Sequence, residues 1–147
     1  MSQITRKLSI LARCQGMFRA GRLRESGLVP PHYNYVIPIC RSPGLSQEQL
    51  ARRVYFDKYN VTRHLNKLEE SGYVERRPSE ADKRSMLVYP TQKMLDLLPQ
   101  VRQCIDEWDA LLFQGLSAEE LELFDATLTK ITQRAQEYVN SKDVIEG

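Results

Sequence analysis

The segment from Leu45 to Pro90 constrains the fold most, because it sets two short helix-forming stretches almost end to end and follows them with a polar hairpin. Ser46 and Gln49 have the spacing of a capping box, in which each side chain satisfies a free N–H of the first turn. Leu50, Ala51 and Val54 then fall on one side of a helix. Asp57 reads as the N-cap of a second helix, whose Val61, Leu65 and Leu68 recur at i, i+4, i+7 and which Gly72 stops. Only Tyr55 and Phe56 lie between the two. Helices on so short a tether cannot run antiparallel, so they cross steeply, as in a helix-turn-helix. The β-prone runs 73–77 and 86–90 flank a polar loop of turn formers and make a hairpin with a long, basic-tipped loop.

Helices surround this segment. Residues 4–25 place Ile4, Leu8, Leu11, Gln15 and Phe18 near one face, with Gly27 beyond the end. A second helix starts near Pro30 and Pro31 and carries Tyr33, Val36 and Ile37; Pro38 is expected to kink or shorten it. Pro43-Gly44 is a turn. After the hairpin, residues 91–115 carry an apolar series from Met94 to Leu112, and Pro99 predicts a bend or a late start. Gly115 closes that helix, and Ser117 with Glu120 caps a last one, striped by Leu121, Phe124, Leu128, Ile131, Ala135 and Tyr138. The fold class is therefore mainly α: a winged helix-turn-helix with an α/β wing and long N- and C-terminal helices.

Charge divides along the chain. Residues 1–40 hold six Lys/Arg and one Glu, residues 41–90 ten against seven carboxylates, and residues 91–147 five against eleven. A basic part joined to an acidic part suits a DNA-binding region attached to a region that does not touch DNA. No run of about 18 apolar residues spans a membrane, and the first 18 residues lack the apolar stretch of a secretory signal, so the cytoplasm is the expected compartment. Cys14, Cys40 and Cys104 are widely separated, which fits free, buried thiols better than a disulfide framework or a zinc site. Two histidines, with no Gly-rich phosphate loop, metal-ligand spacing or nucleophile motif, argue against an enzyme, a metal or a cofactor.

The second short helix fits the roughly 12 Å wide major groove, and the hairpin reaches the flanking backbone or minor groove. Once Val61, Leu65 and Leu68 face the core, Lys58, Tyr59, Asn60, Thr62, Arg63 and Lys67 remain for DNA. Asn60 can pair with adenine and Arg63 with guanine, while Lys58 and Lys67 suit phosphates. Ser46 and Gln47 open the preceding helix, where hydroxyl and N–H groups can hold phosphate. Arg77, Lys83 and Arg84 charge the hairpin, and an arginine at its tip suits the minor groove.

The stretches Leu45-Ser-Gln-Glu-Gln-Leu-Ala, Asp57-Lys-Tyr-Asn-Val-Thr-Arg, Leu68-Glu-Glu-Ser-Gly-Tyr-Val-Glu-Arg-Arg and Asp82-Lys-Arg resemble the MarR family of bacterial regulators. The resemblance implies a six-helix winged-helix protomer dimerised through its first and last helices. It implies binding to a pseudo-palindromic operator in double-stranded DNA, commonly as a repressor released by a small phenolic or other effector, or by cysteine oxidation. It matches Thr62 and Arg63 to the recognition helix and Asp82 and Arg84 to the wing, with Asp82 orienting Arg84 or another basic group. On this reading 41–91 is the DNA-binding region, and 1–40 with 92–147 is the helical dimerisation region. Four positions depart from the pattern. Tyr55 stands where glycine is usual and would be strained if φ is positive. Tyr59 and Asn60 replace small hydroxyl residues, and Met94 replaces a glycine near the start of the fifth helix. Arg13, Met17, His32 and Tyr35 are the ligand candidates. Cys14, beside Arg13, offers an alternative redox mechanism, and a protein-interaction winged helix without DNA binding is a further alternative.

Overall fold

The computed structural model describes residues 2–141. Along these residues run α1 (Ser2–Arg22), a 3-10 turn (Arg24–Ser26), α2 (Pro30–Arg41), β1 (Leu45–Ser46), α3 (Gln47–Val54), α4 (Lys58–Glu70), β2 (Val74–Pro78), β3 (Met86–Pro90), α5 (Gln92–Leu112) and α6 (Ala118–Ser141). α3 and α4 start where the sequence supplies acceptors. The Ser46–Gln49 box closes at 3.1 and 3.0 Å, and Asp57 Oδ1 accepts the Asn60 N–H at 2.8 Å.

The two prolines inside helices act less than expected. α2 continues through Pro38, and α5 starts at Gln92 and continues through Pro99. Proline removes the bond to the carbonyl four residues earlier. Here those carbonyls belong to Asn34 and Leu95, both exposed, so water can replace the missing donor. Met94 likewise leaves the start of α5 intact: it is fully buried, and its N–H approaches Thr91 Oγ1.

The sheet is antiparallel in the order β1-β3-β2. The β2–β3 hairpin is the one expected from the β-prone runs, whereas β1 has no local signal: its two residues exist as a strand only through pairing of Leu45 with Val88 and Ser46 with Leu87. Tyr55 is the one described non-glycine residue with positive φ (56°). It ends α3 in the left-handed region, so the α3–α4 turn has the geometry usually given to glycine, at a cost on the order of 1 kcal/mol.

The chain divides into two compact units between Trp108 and Asp109. In the first, Leu50 of α3 and Val61, Leu65 and Leu68 of α4 are buried with Val36 and Ile39 of α2, Val88 of β3 and Met94 of α5. Each fully buried leucine contributes about 1.5–3 kcal/mol, enough to fix the rotation of α4 about its axis and so the face it shows to solvent. The same unit leaves Ile4, Leu8, Ile10, Leu11 and Met17 of α1 exposed. In the second unit Ser117 and Glu120 form their expected capping box, and Phe113 packs on Phe124. None of the α6 residues is buried, and Leu123, Phe124, Ile131 and Tyr138 are exposed.

Candidate nucleic-acid interface

With its apolar face held down, α4 presents Lys58, Tyr59, Thr62, Arg63, Asn66 and Lys67 to solvent. Hydrogen bonding sorts these side chains further. Asn60 is half-buried, and its amide donates to Asp57 Oδ2 at 2.8 Å. Pairing with adenine would use the carbonyl oxygen and the second amide hydrogen, so the contact with Asp57 completes the helix cap and fixes the direction of the amide. The Asn60 N–H and amide together hold the Asp57 carboxyl below its ordinary pKa. Thr62 Oγ1 donates to the Lys58 carbonyl at 3.0 Å and keeps its lone pairs to accept. The Arg63 guanidinium carbon lies 5.8 Å from the Tyr59 ring centroid. None of Lys58, Arg63 and Lys67 is ion-paired among the described residues.

A cleft of about 450 Å³ opens between the start of α3, α4 and the β2–β3 hairpin. It is lined by Gln47, Lys58, Thr62 and Arg84 together with Glu48, Val61, Asp82, Ser85 and Met86. The fold thus brings four of the sequence-derived DNA residues around one hollow. Ser46 adjoins it; its hydroxyl oxygen accepts the Gln49 N–H, and its own O–H can still donate. In the hairpin loop, Ser79 N–H donates to the Ser85 carbonyl at 2.8 Å, and Asp82 Oδ1 accepts the Arg84 N–H at 3.0 Å. Asp82 therefore fixes the backbone at the tip, and the exposed side chains of Lys83 and Arg84 project from a closed turn. Arg77 is different: it pairs with Glu75 at 3.0 Å and lies 4.5 Å over the Tyr89 ring.

Arg76 escapes the sequence reading and proves central. Its guanidinium donates to Gln47 Oε1 at 3.2 Å, Asn66 Oδ1 at 2.7 Å and Glu69 Oε1 at 3.0 Å. One side chain thus ties α3, α4 and β2 together. It also holds the Glu69 carboxyl below the usual range. A guanidinium has no acceptor, so the amides of Gln47 and Asn66 must turn their oxygens to it and their NH₂ groups away. Strand alternation is the signal that finds Arg76, since it shares a face with the buried Val74.

His64 is the second omission. It belongs to the buried face of α4, and its Nδ1 lies 2.7 Å from Tyr35 Oη. His32 packs edge-on against it, with ring centroids 5.4 Å apart, and Phe56 closes the cluster. Burial lowers the pKa of both imidazoles; His64 and Lys67 push His32 further down, and Arg63 does so for His64 against the pull of Asp57. Burial pushes the Tyr35 phenol well above its usual value. The ligand candidates therefore separate into two pairs: His32 and Tyr35 are buried in this cluster, whereas Arg13 and Met17 are exposed on α1. The cysteines also differ from the expectation of uniform burial, since Cys104 is buried, Cys40 half-buried and Cys14 exposed.

The sequence model of the MarR family matches residues 26–85, which hold most of α2, both helices of the crossed pair and most of the wing. A Bacillus subtilis protein, the HTH-type transcriptional regulator YybA, is 28% identical over 142 residues, covering 95% of each chain. The HTH-type transcriptional regulator BilQ of Clostridium symbiosum is 29% identical over 126 residues, covering 86% of this chain and 88% of its own. Among solved structures, a MarR-family regulator from Listeria monocytogenes in complex with a 26mer DNA superposes with a TM-score of 0.85 at 22% identity, covering 94% of each chain. CouR from Rhodococcus jostii, bound to p-coumaroyl-CoA, superposes with a TM-score of 0.74 at 22% identity, covering 87% of this chain and 90% of its own.

Proposed function

Since this chain belongs to the MarR family of transcriptional regulators, we propose that it is a cytoplasmic repressor that binds a pseudo-palindromic operator as a homodimer and leaves it when a small molecule binds. One observation carries the reading. Gln47, Lys58, Thr62 and Arg84 line a single cleft on the solvent side of α4. Lys67 of α4 and Lys83 of the hairpin are exposed and add charge that no carboxylate among the described residues pairs. Lys58 and Lys67 are phosphate contacts, Thr62 and Arg63 face the major groove, and Arg84 enters the minor groove. Residues 41–91 form the DNA-binding region. Residues 1–40 and 92–147 form the dimerisation region, whose exposed apolar residues on α1 and α6 call for a partner surface. A symmetric dimer would set two α4 helices about one turn of DNA apart, matching a palindrome.

The DNA complex of the Listeria regulator and the acyl-CoA complex of CouR support the DNA and effector parts of the reading, respectively. Arg13 and Met17 are open to a ligand on α1. His32 and Tyr35 become available only when the Tyr35–His64 contact opens, and that would connect an effector directly to α4. Selection of duplexes from a genomic library, with and without candidate phenolics, tests the whole assignment. Arg84→Ala is expected to weaken binding to the selected operator while the dimer persists in light scattering. Loss of the dimer would place Arg84 in the fold instead.

A further inference from the structure

Thr62 donates its hydroxyl within α4 and Asn60 gives one amide hydrogen to the cap residue Asp57, so more of the base reading falls on the other exposed side chains of α4. Tyr59 stands out among them. It is 73% exposed, more than any other large hydrophobic side chain described. It sits four residues before Arg63, where helix side chains are neighbours, and its ring is 5.8 Å from the guanidinium carbon. That is within cation–π range and restricts the directions in which Arg63 can point. The ring leaves a second apolar surface open to solvent.

We propose that Tyr59 is a specificity-determining residue of α4, setting its ring against the 5-methyl group of a thymine while holding Arg63 toward a neighbouring guanine. The inference rests on α4 being the DNA-reading helix. The major groove offers one apolar feature, the thymine methyl, and one acceptor pair suited to a guanidinium, O6 and N7 of guanine. Four residues advance a helix by about 6 Å, and successive base pairs are about 3.4 Å apart, so the thymine lies within two steps of the guanine. The phenol oxygen has no part in either contact, so Tyr59→Phe keeps the preference and Tyr59→Ala loses it.

The experiment selects operators from randomised duplexes with the wild-type protein, Tyr59→Phe and Tyr59→Ala. It then measures affinity for the selected operator with the thymine replaced by uracil, which lacks only the methyl group. Wild type and Tyr59→Phe should lose about fourfold per half-site, the worth of one buried methyl-sized group, and Tyr59→Ala less than twofold. Selected half-sites should hold guanine and thymine within two positions. Arg63→Lys should relax the guanine and keep the thymine. Uracil that leaves wild-type affinity unchanged, or a Tyr59→Ala protein that selects the same sequence equally sharply, overturns the role of Tyr59 alone. A wild-type protein that enriches no sequence overturns the DNA-reading assignment of α4 and this inference with it.

Discussion

Arg76→Ala removes the one side chain that joins α3, α4 and the wing strand. The guanidinium side chain is 15% exposed and meets acceptors on Gln47, Asn66 and Glu69. Hydrogen bonds to a charged group are worth about 1.5–3 kcal/mol where the partner would otherwise be buried and unpaired. Here the Glu69 carboxylate is 43% exposed and water replaces much of what it loses, so the lower end applies. We expect a loss of about 2 kcal/mol. For a chain of 147 residues that lowers Tm by about 4–8 °C. Circular dichroism melts at one fixed protomer concentration measure it, because association shifts apparent stability. Arg76→Lys keeps the charge near Glu69 but cannot serve both amides from a fixed fork, so it should fall between wild type and alanine. An Arg76→Ala protein melting within about 1 °C of wild type would refute the claim that this network braces the interface.

Tyr35→Phe leaves buried His64 Nδ1 without its hydrogen-bond partner and should cost about 1–2 kcal/mol in a urea titration; an unchanged midpoint would mean that the contact carries no stability. Acid should also weaken the fold. Both imidazoles have folded pKa values below the ordinary value of about 6.5, so the unfolded chain binds more protons below that pH. Stability is thus full above about pH 6.5 and declines as pH falls toward the folded pKa values; midpoints measured from pH 7.5 to 5 should show this, and a flat or rising profile would contradict it. Leu11→Glu combined with Ile131→Glu places charge on the exposed apolar residues of α1 and α6 and should give a monomer in light scattering. A dimer that persists would move the interface elsewhere.

What the sequence disclosed follows from what is local. Caps at Ser46 and Asp57, the i, i+4, i+7 series of α4 and the turn formers of the hairpin act over a few residues, so the crossed helices and wing were legible. β1 was not, because two residues carry no periodicity and the strand depends on β3, more than forty residues away. Pro38 and Pro99 misled because the cost of a helical proline depends on whether the carbonyl it strands is wet. His64 falls outside the i, i+4, i+7 series, yet it lies three after Val61 and is buried on the same side. Arg76 joins partners from positions 47, 66 and 69, which no pattern of a few residues brings together. Asn60 is expected to read a base, and what the sequence does not show is that the carboxylate three residues earlier holds one of its two amide hydrogens.

The salt dependence of operator affinity tests the central claim most directly. Lys58, Lys67, Lys83 and Arg84 form no ion pair among the described residues, so two protomers bring eight free cations to the phosphates. Each neutralised phosphate releases counterions, giving a slope of log K against log salt of about −7 for wild type. Lys67→Ala should lose one contact per protomer, making the slope shallower by about 2 and weakening all sequences alike. A slope near zero, the same in both proteins, would show that the basic face of α4 and the wing does not meet DNA.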